Sequence, residues 1–352
     1  MTDALSEWWH SFADYSLKGY APRYEAMVRA AADDPAVMAV VAAAPPEAHV
    51  PNNLHAAARY LLLDGADHPL AAGYEPDFQG DIGRLFCDFV RSRPDEIAAL
   101  LATRYVQTNE VNRTAAIAPL VNLVARRARV ETAGTRLALV DVGCSAGLNL
   151  LLDRYRIEVG DTVLGPADAR LRLTAECRGA APIAPPAEIA WRRGIDRNPI
   201  DVTDDDEARW LESLVWPDHP DRLARLRAAI AEVRADPPPL VRADAVDGLR
   251  AALVDAPADL SVLVVTSWVV FYFDEEQRRA LEATILGADR PVSWLAMEMA
   301  GIVPGIEVPE PPPDAGEVSV MTLVTGGAGR PTTREFLGFT HPHGAWIDLV
   351  PH

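Results

Sequence analysis

Hydrophobic and polar positions over the first 130 residues follow a helical period, and no strand is predicted before residue 136. Pro94 is placed to open a helix, with Asp95 and Glu96 in its first turn. Ile97, Leu100, Leu101 and Tyr105 then recur at helical spacing. Residues 114–130 predict a further helix, with basic residues in its last turn and an early kink at Pro119. Trp8, Trp9 and Tyr15 predict an aromatic face on the first helix, for packing in preference to a substrate lid.

From residue 136 the period changes. Strand-like runs at 137–142, 190–195, 240–242, 260–265 and 292–297 alternate with helical stretches. Residues 221–233 place Leu223, Leu226, Ile230 and Val233 on one face. In 274–286, Asp274 stands three residues before Gln277, the spacing of a capping box. Such alternation predicts an α/β fold with a doubly wound, mostly parallel sheet. The runs 318–324, 335–339 and 345–350, joined by Gly and Pro turns, predict antiparallel C-terminal strands. The chain therefore reads as a helical N-terminal cap over 1–130 and an α/β domain over 131–352. An insertion at about 154–189 is predicted to form a hairpin from 156–159 and 169–177. Pro182, Pro185 and Pro186 stiffen the loop after it.

The 352 residues carry a net charge of −18, which argues against a nucleic-acid partner, since phosphate binding needs clustered Lys and Arg. Cys87, Cys144 and Cys177 lie far apart with no C-x-x-C, which speaks against a disulfide framework and a structural zinc site. No apolar run reaches the roughly 18 residues of a membrane span. The start of the chain lacks a basic and then apolar leader. Together these predict a cytoplasmic protein with no nucleic-acid or membrane partner and no metal; they leave the oligomeric state open.

The most informative stretch is residues 137–152. An apolar run ends in Asp141, passes through Gly143-Cys144-Ser145-Ala146-Gly147 and continues in Leu148-Asn-Leu-Leu-Leu152. It reads as a buried parallel strand entering a helix N-terminus, where nucleotide-like ligands bind in open α/β sheets. Two chemistries fit. Asp-x-Gly-x-x-x-Gly suits a cofactor loop, and Ser145 stands where a dinucleotide fold would want glycine, which disfavours NAD. The same letters match G-x-S-x-G, the nucleophile elbow of serine hydrolases, with His341 or His343 as base. A fold kept for non-catalytic binding is the third possibility.

The glycine turn resembles the first motif of class I S-adenosylmethionine-dependent methyltransferases. That resemblance implies a Rossmann-like core with S-adenosylmethionine as cofactor and a small molecule as substrate. It implies that Asp141 and Gly143 to Gly147 (with Cys144, Ser145 and Ala146) hold the cofactor's amino-acid end, Asp196 its ribose and Asp244 its adenine. Ser267 and Trp268, after the fourth core strand, would border the transferred methyl. As a whole the chain is similar to a bacterial family known as domain of unknown function 2332. The similarity rests on Thr108-Asn-Glu-Val-Asn-Arg113, Gly143 to Tyr155, Trp191 to Thr203, Pro237 to Asp244, and His341-Pro-His-Gly-Ala-Trp346.

The remaining candidates each carry two readings. Asn109, Glu110, Asn112 and Arg113 form a polar group that either closes on cofactor and substrate or caps the next helix through Asn112 or Thr114. His343, with His341, is either a general base or part of a hairpin turn shaped by Pro342 and Gly344. Trp268, Tyr272 and Phe273 line either a substrate pocket or the core. Asn109, Glu110 and His343 complete the expected acceptor side.

Overall fold

A computed structural model describes residues 2–107, 109–132, 136–179, 186–313 and 315–351, apart from the side chains of 129–132. Thr108, the side chain of Arg129, Pro182 and Pro185, used in the reading above, lie outside the described residues. The chain divides into two compact units, 1–108 with 202–227, and 109–201 with 228–352.

The first unit is helical. It contains α1 (Thr2–Phe12), α2 (Pro22–Ala32), α3 (Pro35–Ala42), α4 (Pro51–Leu63), α5 (Ile82–Ser92) and α6 (Pro94–Thr103). Pro22, Pro35, Pro51 and Pro94 open four of these helices, at the position where a missing N–H costs nothing. Trp9, Tyr24, Met27, Met38, Leu54, Phe86 and Phe89 fill the core. Of the predicted aromatic face only Trp9 packs inward, donating from Nε1 to the His49 carbonyl at 2.8 Å. Trp8 is exposed, and Tyr15, carried outward on a π-turn at Ala13–Leu17, is more so.

The segment 202–227 belongs to this unit for a specific reason. Ala21, before α2, has no capping side chain. Asp218 supplies it instead, accepting from the Arg23 and Tyr24 amides at 2.9 Å each. Asp206 and Glu207, in the first turn of a helix over Asp205–Ser213, pair with Arg104, and Trp210 donates to the Tyr105 carbonyl at 2.9 Å.

The second unit is α/β. Its α7 (Thr114–Thr132) packs on the sheet, so the unit begins near residue 109, not near 131 as read from the period change. Among the described residues eleven strands form one sheet: β1 (Arg136–Val142), β2 (Arg156–Val159), β3 (Thr162–Leu164), β4 (Arg172–Cys177), β5 (Glu188–Asp196), β6 (Leu240–Arg242), β7 (Ser261–Ser267), β8 (Val292–Glu298), β9 (Ser319–Gly326), β10 (Thr333–Thr340) and β11 (Trp346–Leu349). Their order is β3-β2-β4-β11-β10-β9-β8-β7-β1-β5-β6. The last five in this order, β8 to the edge strand β6, are parallel. The chain builds outward from β1 to β5 and β6, then crosses back to β7 and β8. The order therefore reverses between β1 and β7, the place where open α/β sheets bind ligands. β9 pairs antiparallel with β8, and β9, β10 and β11 pair antiparallel in succession, as expected.

Two local expectations fail. No α-helix follows the glycine turn; Leu148–Leu151 make one 3₁₀ turn. Leu148, Leu150, Leu151 and Leu152 are all buried, so no amphipathic stripe exists to continue a surface helix, and the Tyr155 hydroxyl takes the Leu148 carbonyl at 2.7 Å. The insertion also differs from a 156–159/169–177 hairpin. β2 pairs β3 antiparallel, whereas β2 and β4 run parallel and β4 joins β11. The insertion thus extends the central sheet.

Trp294 on β8 is buried and donates to Thr266 Oγ1 of β7 at 3.0 Å. Trp294→Ala is expected to cost about 3–5 kcal/mol, measured by urea denaturation; a loss under about 1 kcal/mol would mean this layer repacks freely.

Candidate active site

The site forms where β1 and β7 end. Asp141, next to last in β1, is buried beneath the turn. Gly143 takes φ +79°, and a Cβ there would fall 2.4 Å from Val269 Cγ2, so only glycine lets the two strand-end turns touch. The Gly143 and Cys144 amides donate to the Ile195 carbonyl at 2.8 and 3.2 Å. Ser145, at φ +51°, donates its amide to Asp196 Oδ2 at 2.8 Å, and the Asn198 amide donates to Oδ1 at 2.8 Å. The turn is therefore fastened to the end of β5.

The facing turn is held from β8. Glu298, 1% exposed, accepts from the Val269 and Val270 amides at 3.2 Å each through Oε1. Trp268 sits at φ +57°, a region costly for a bulky residue. Its amide donates to the Met297 carbonyl at 3.0 Å and its indole to Ser319 Oγ at 2.7 Å, which holds it there. Burial pushes the Glu298 carboxyl up to about 7 against the pull of those amides and of Arg113. Burial, with the Asp196 charge adding to it, also pushes Asp141 up to about 7, while Arg113 acts the other way.

The two polar blocks far apart in sequence, 109–113 and 341–346, come together here. Asn109 Nδ2 donates to the Cys144 carbonyl at 2.8 Å. Asn112 Nδ2 donates to the carbonyls of Gly344 at 3.0 Å and Thr174 at 3.1 Å. Gly344, at φ +71°, permits this approach, because a Cβ there would lie 2.2 Å from the Asn112 carbonyl oxygen. Arg113 donates to the Pro342 carbonyl at 2.8 Å and the Ser267 carbonyl at 3.2 Å, so it ties the 341–346 turn to the end of β7. Glu110 is buried and accepts from the Asn112 amide at 3.1 Å, a capping contact. The cap in this block is therefore Glu110, on the short turn Val111–Arg113, and not Asn112 or Thr114 as the sequence suggested.

The histidines separate in role. His341 Nδ1 accepts from the His343 amide at 3.0 Å. That bond places the neutral ring's proton on Nε2 and leaves no free lone pair for a base. Burial also lowers its pKa, Glu110 opposing and Arg178 assisting. The turn reading holds for this pair's backbone, and only the His343 ring is not committed by that turn.

A cavity of about 180 Å³ lies against the glycine turn, lined by Gly143, Asp196, Ala243, Val269, Tyr272 and Phe273 among others. Around the turn, three buried acceptors have no hydrogen-bond partner: Asp141 Oδ2, Asn109 Oδ1 and Ser145 Oγ. Ser145 Oγ thus has no imidazole within reach, although a nucleophile elbow needs one. Cys144 and Ala146 are buried beneath the turn and Gly147 ends it at φ +70°. Asp244 is drawn elsewhere: it caps a helix over Ala245–Asp255 through the Val246 amide at 3.0 Å and pairs with Arg197 at 2.8 Å. Its neighbours Ala243 and Ala245 line the cavity in its place. Glu298 was not anticipated. Its signal was present, an acid closing an apolar strand just as Asp141 closes β1.

Among the described residues no group of three His, Cys, Asp or Glu could hold a metal, and no helix is long and apolar enough to cross a membrane. A family model described as "Uncharacterized protein conserved in bacteria (DUF2332)" matches residues 6–349. No curated protein and no solved structure matches the chain.

A carboxyl whose pKa is raised by folding holds its proton more tightly in the native state. Stability therefore falls as pH rises from the ordinary carboxylate range to about 7. Glu298→Gln is expected to remove on the order of 3 kcal/mol of that fall, read as the change in urea midpoint between pH 4.5 and 8. A variant slope equal to the wild-type slope would show that Glu298 is already ionised in the folded protein.

Proposed function

The chain belongs to the DUF2332 family, and from the geometry of its glycine turn we propose that it is an S-adenosylmethionine-dependent methyltransferase acting on a small molecule. One observation carries the reading. Unpartnered buried acceptors, Asp141 Oδ2 foremost, stand beside a ring-lined cavity at the switch point of the sheet. A ligand that is cationic at one end and flat at the other fits both features. The five parallel strands, in the order three-two-one-four-five counted along the chain, support a Rossmann-like core.

In this reading Asp141, with Asn109 Oδ1 and Ser145 Oγ, takes the ammonium of the cofactor's amino-acid end. Asp196, which accepts the Ser145 and Asn198 amides and lines the cavity, takes the ribose hydroxyls. Val269, Tyr272 and Phe273 cover the flat ring. Asp244, held by Arg197 and its helix, acts on the adenine side through the backbone that it fixes. When bound, S-adenosylmethionine supplies an already activated methyl on a sulfonium. The residues of this chain then have to orient an acceptor in line, exclude water and receive a proton. Ser267 and Trp268 border that position, and His343 and Glu110 are the groups nearest in chemistry to a proton acceptor.

S-Adenosylmethionine and S-adenosylhomocysteine are each expected to raise the melting temperature by several degrees at about one hundred times their Kd. Asp141→Asn should weaken both by about 10- to 100-fold, the range of a charge-assisted hydrogen bond. Wild-type affinity should rise with pH through about 7, as Asp141 ionises. No shift with either ligand at millimolar concentration would sink the proposal, and labelling of Ser145 by a fluorophosphonate would replace it with hydrolysis.

A further inference from the structure

The second unit carries a cavity that methyl transfer does not use. Two helices, over Ala245–Asp255 and Glu275–Leu286, turn Leu249, Ala252, Leu281 and Ile285 inward, all buried in the core of that unit. Between their outer faces lies a cavity of about 730 Å³, lined by Leu253 and Val254 from one helix and by Ala280, Ala283 and Gly287 from the other. It runs down to Asp289 and Arg290, just before β8 begins. β8 runs parallel to β1 and β7, so this is the opposite end of the sheet from the candidate site.

The surface around this cavity holds a knob and a hole. Val254 is 84% exposed, more than any other large apolar residue described in the second unit. Ala280, Ala283 and Gly287 follow one another at spacings of three and four, so one face of their helix is short of side-chain volume. The surface also holds a charge of each sign. Arg250, one turn before Val254, stands in an exposed pair with Asp247 at 3.2 Å, which leaves most of its five donors open. The Asp289 side chain has no hydrogen bond or ion pair among the described residues. Arg290 is committed elsewhere, to the Ala256, Pro257 and Leu260 carbonyls at 2.6 Å each, and Asp255 is taken by Arg193 at 2.7 Å.

We propose that this face is a twofold contact between two copies of the chain. A twofold axis sets one patch against itself, so a closed dimer needs each feature and its complement on the same surface. Val254 of one copy seats over the small residues of the other, ridge into groove. Arg250 then meets the partner's Asp289, and the reverse pair forms with it. Each copy carries a net charge of −18, so contact is least opposed where arginines line the surface; here two stand against one aspartate. A small ligand is the poorer occupant, because among the described residues no unpartnered buried polar atom lines the cavity to orient one. The contact is independent of methyl transfer and of the site proposed for it.

Sedimentation velocity of the full-length protein, without ligand, tests the contact. A dimer is expected, with a Kd at or below about 100 µM, the weak end for a specific interface. Val254→Glu changes only an exposed side chain and should weaken the dimer at least about tenfold. Arg250→Asp and Asp289→Arg should each weaken it about tenfold by setting like charges opposite each other, and the two together should return it to within about threefold of the wild type. The proposal is overturned if the wild-type chain stays monomeric at about 200 µM. It is equally overturned if Val254→Glu, folded by circular dichroism, dimerises as the wild type does, or if the double exchange is no better than either single one. A monomer whose melting temperature rises with octanol would give the cavity to a small apolar ligand instead.

Discussion

The close approach of two strand-end turns governs the second unit. Gly143 and Val269 stand nearer than any side chain at position 143 would allow, and that contact sets where β1 and β7 finish relative to each other. Each turn is held from a neighbouring strand. One is fastened through Asp196 to β5, the other through Glu298 to β8, so four neighbouring strands pin one junction. The pinning groups are carboxylates that receive backbone amides, and Glu298 does so out of reach of water. Positive φ at Ser145 and Trp268 is the strain that this fastening sustains.

Around that junction the polar blocks act as clamps. Asn112 and Arg113 give their donors to backbone carbonyls of Thr174, Gly344, Pro342 and Ser267, and so join β4, the 341–346 turn and β7. Backbone acceptors buried at strand ends need partners, and side-chain donors supply them where the ladder stops. The same clamps decide which polar atoms are left over. Asn109 spends its amide nitrogen on Cys144 and keeps its carbonyl oxygen unpartnered, beside an Asp141 that is also short of a donor. Buried acceptors without a donor are therefore a by-product of how the turn is held.

Much of this architecture was legible in the sequence. Most core strands were readable because they are largely apolar runs ended by a polar residue, and observed bounds such as Leu240–Arg242 and Val292–Glu298 follow those runs, although β5 carries Arg192 and Arg193 inside it. The capping box at Asp274 and Gln277 is present because it depends only on neighbours in sequence. Features set by distant partners were not legible. Leu148–Leu152 have helix-forming letters, but burial on every side leaves a single 3₁₀ turn. The strands of the insertion were visible, whereas the parallel pairing of β2 with β4 depends on β11, nearly two hundred residues away. In the candidate site, the glycine turn and the two polar blocks were readable as types; that Asn112 reaches Gly344, or that His341 is locked by its own turn, required the fold.

The Asp218 cap on α2 has a consequence for the order of synthesis. Helix α2 leaves the ribosome early, but the carboxylate that satisfies its first amides is encoded 195 and 194 residues later than Arg23 and Tyr24. All of β1 to β5 is made in between. At bacterial elongation rates the gap between residue 108 and Asp218 lasts on the order of ten seconds. Throughout that interval the N-terminal helices lack their closing segment and expose the apolar surface that Trp216 later covers. The helical unit is begun first and finished late, so a nascent chain of this protein offers a holdase chaperone a defined interval in which to act.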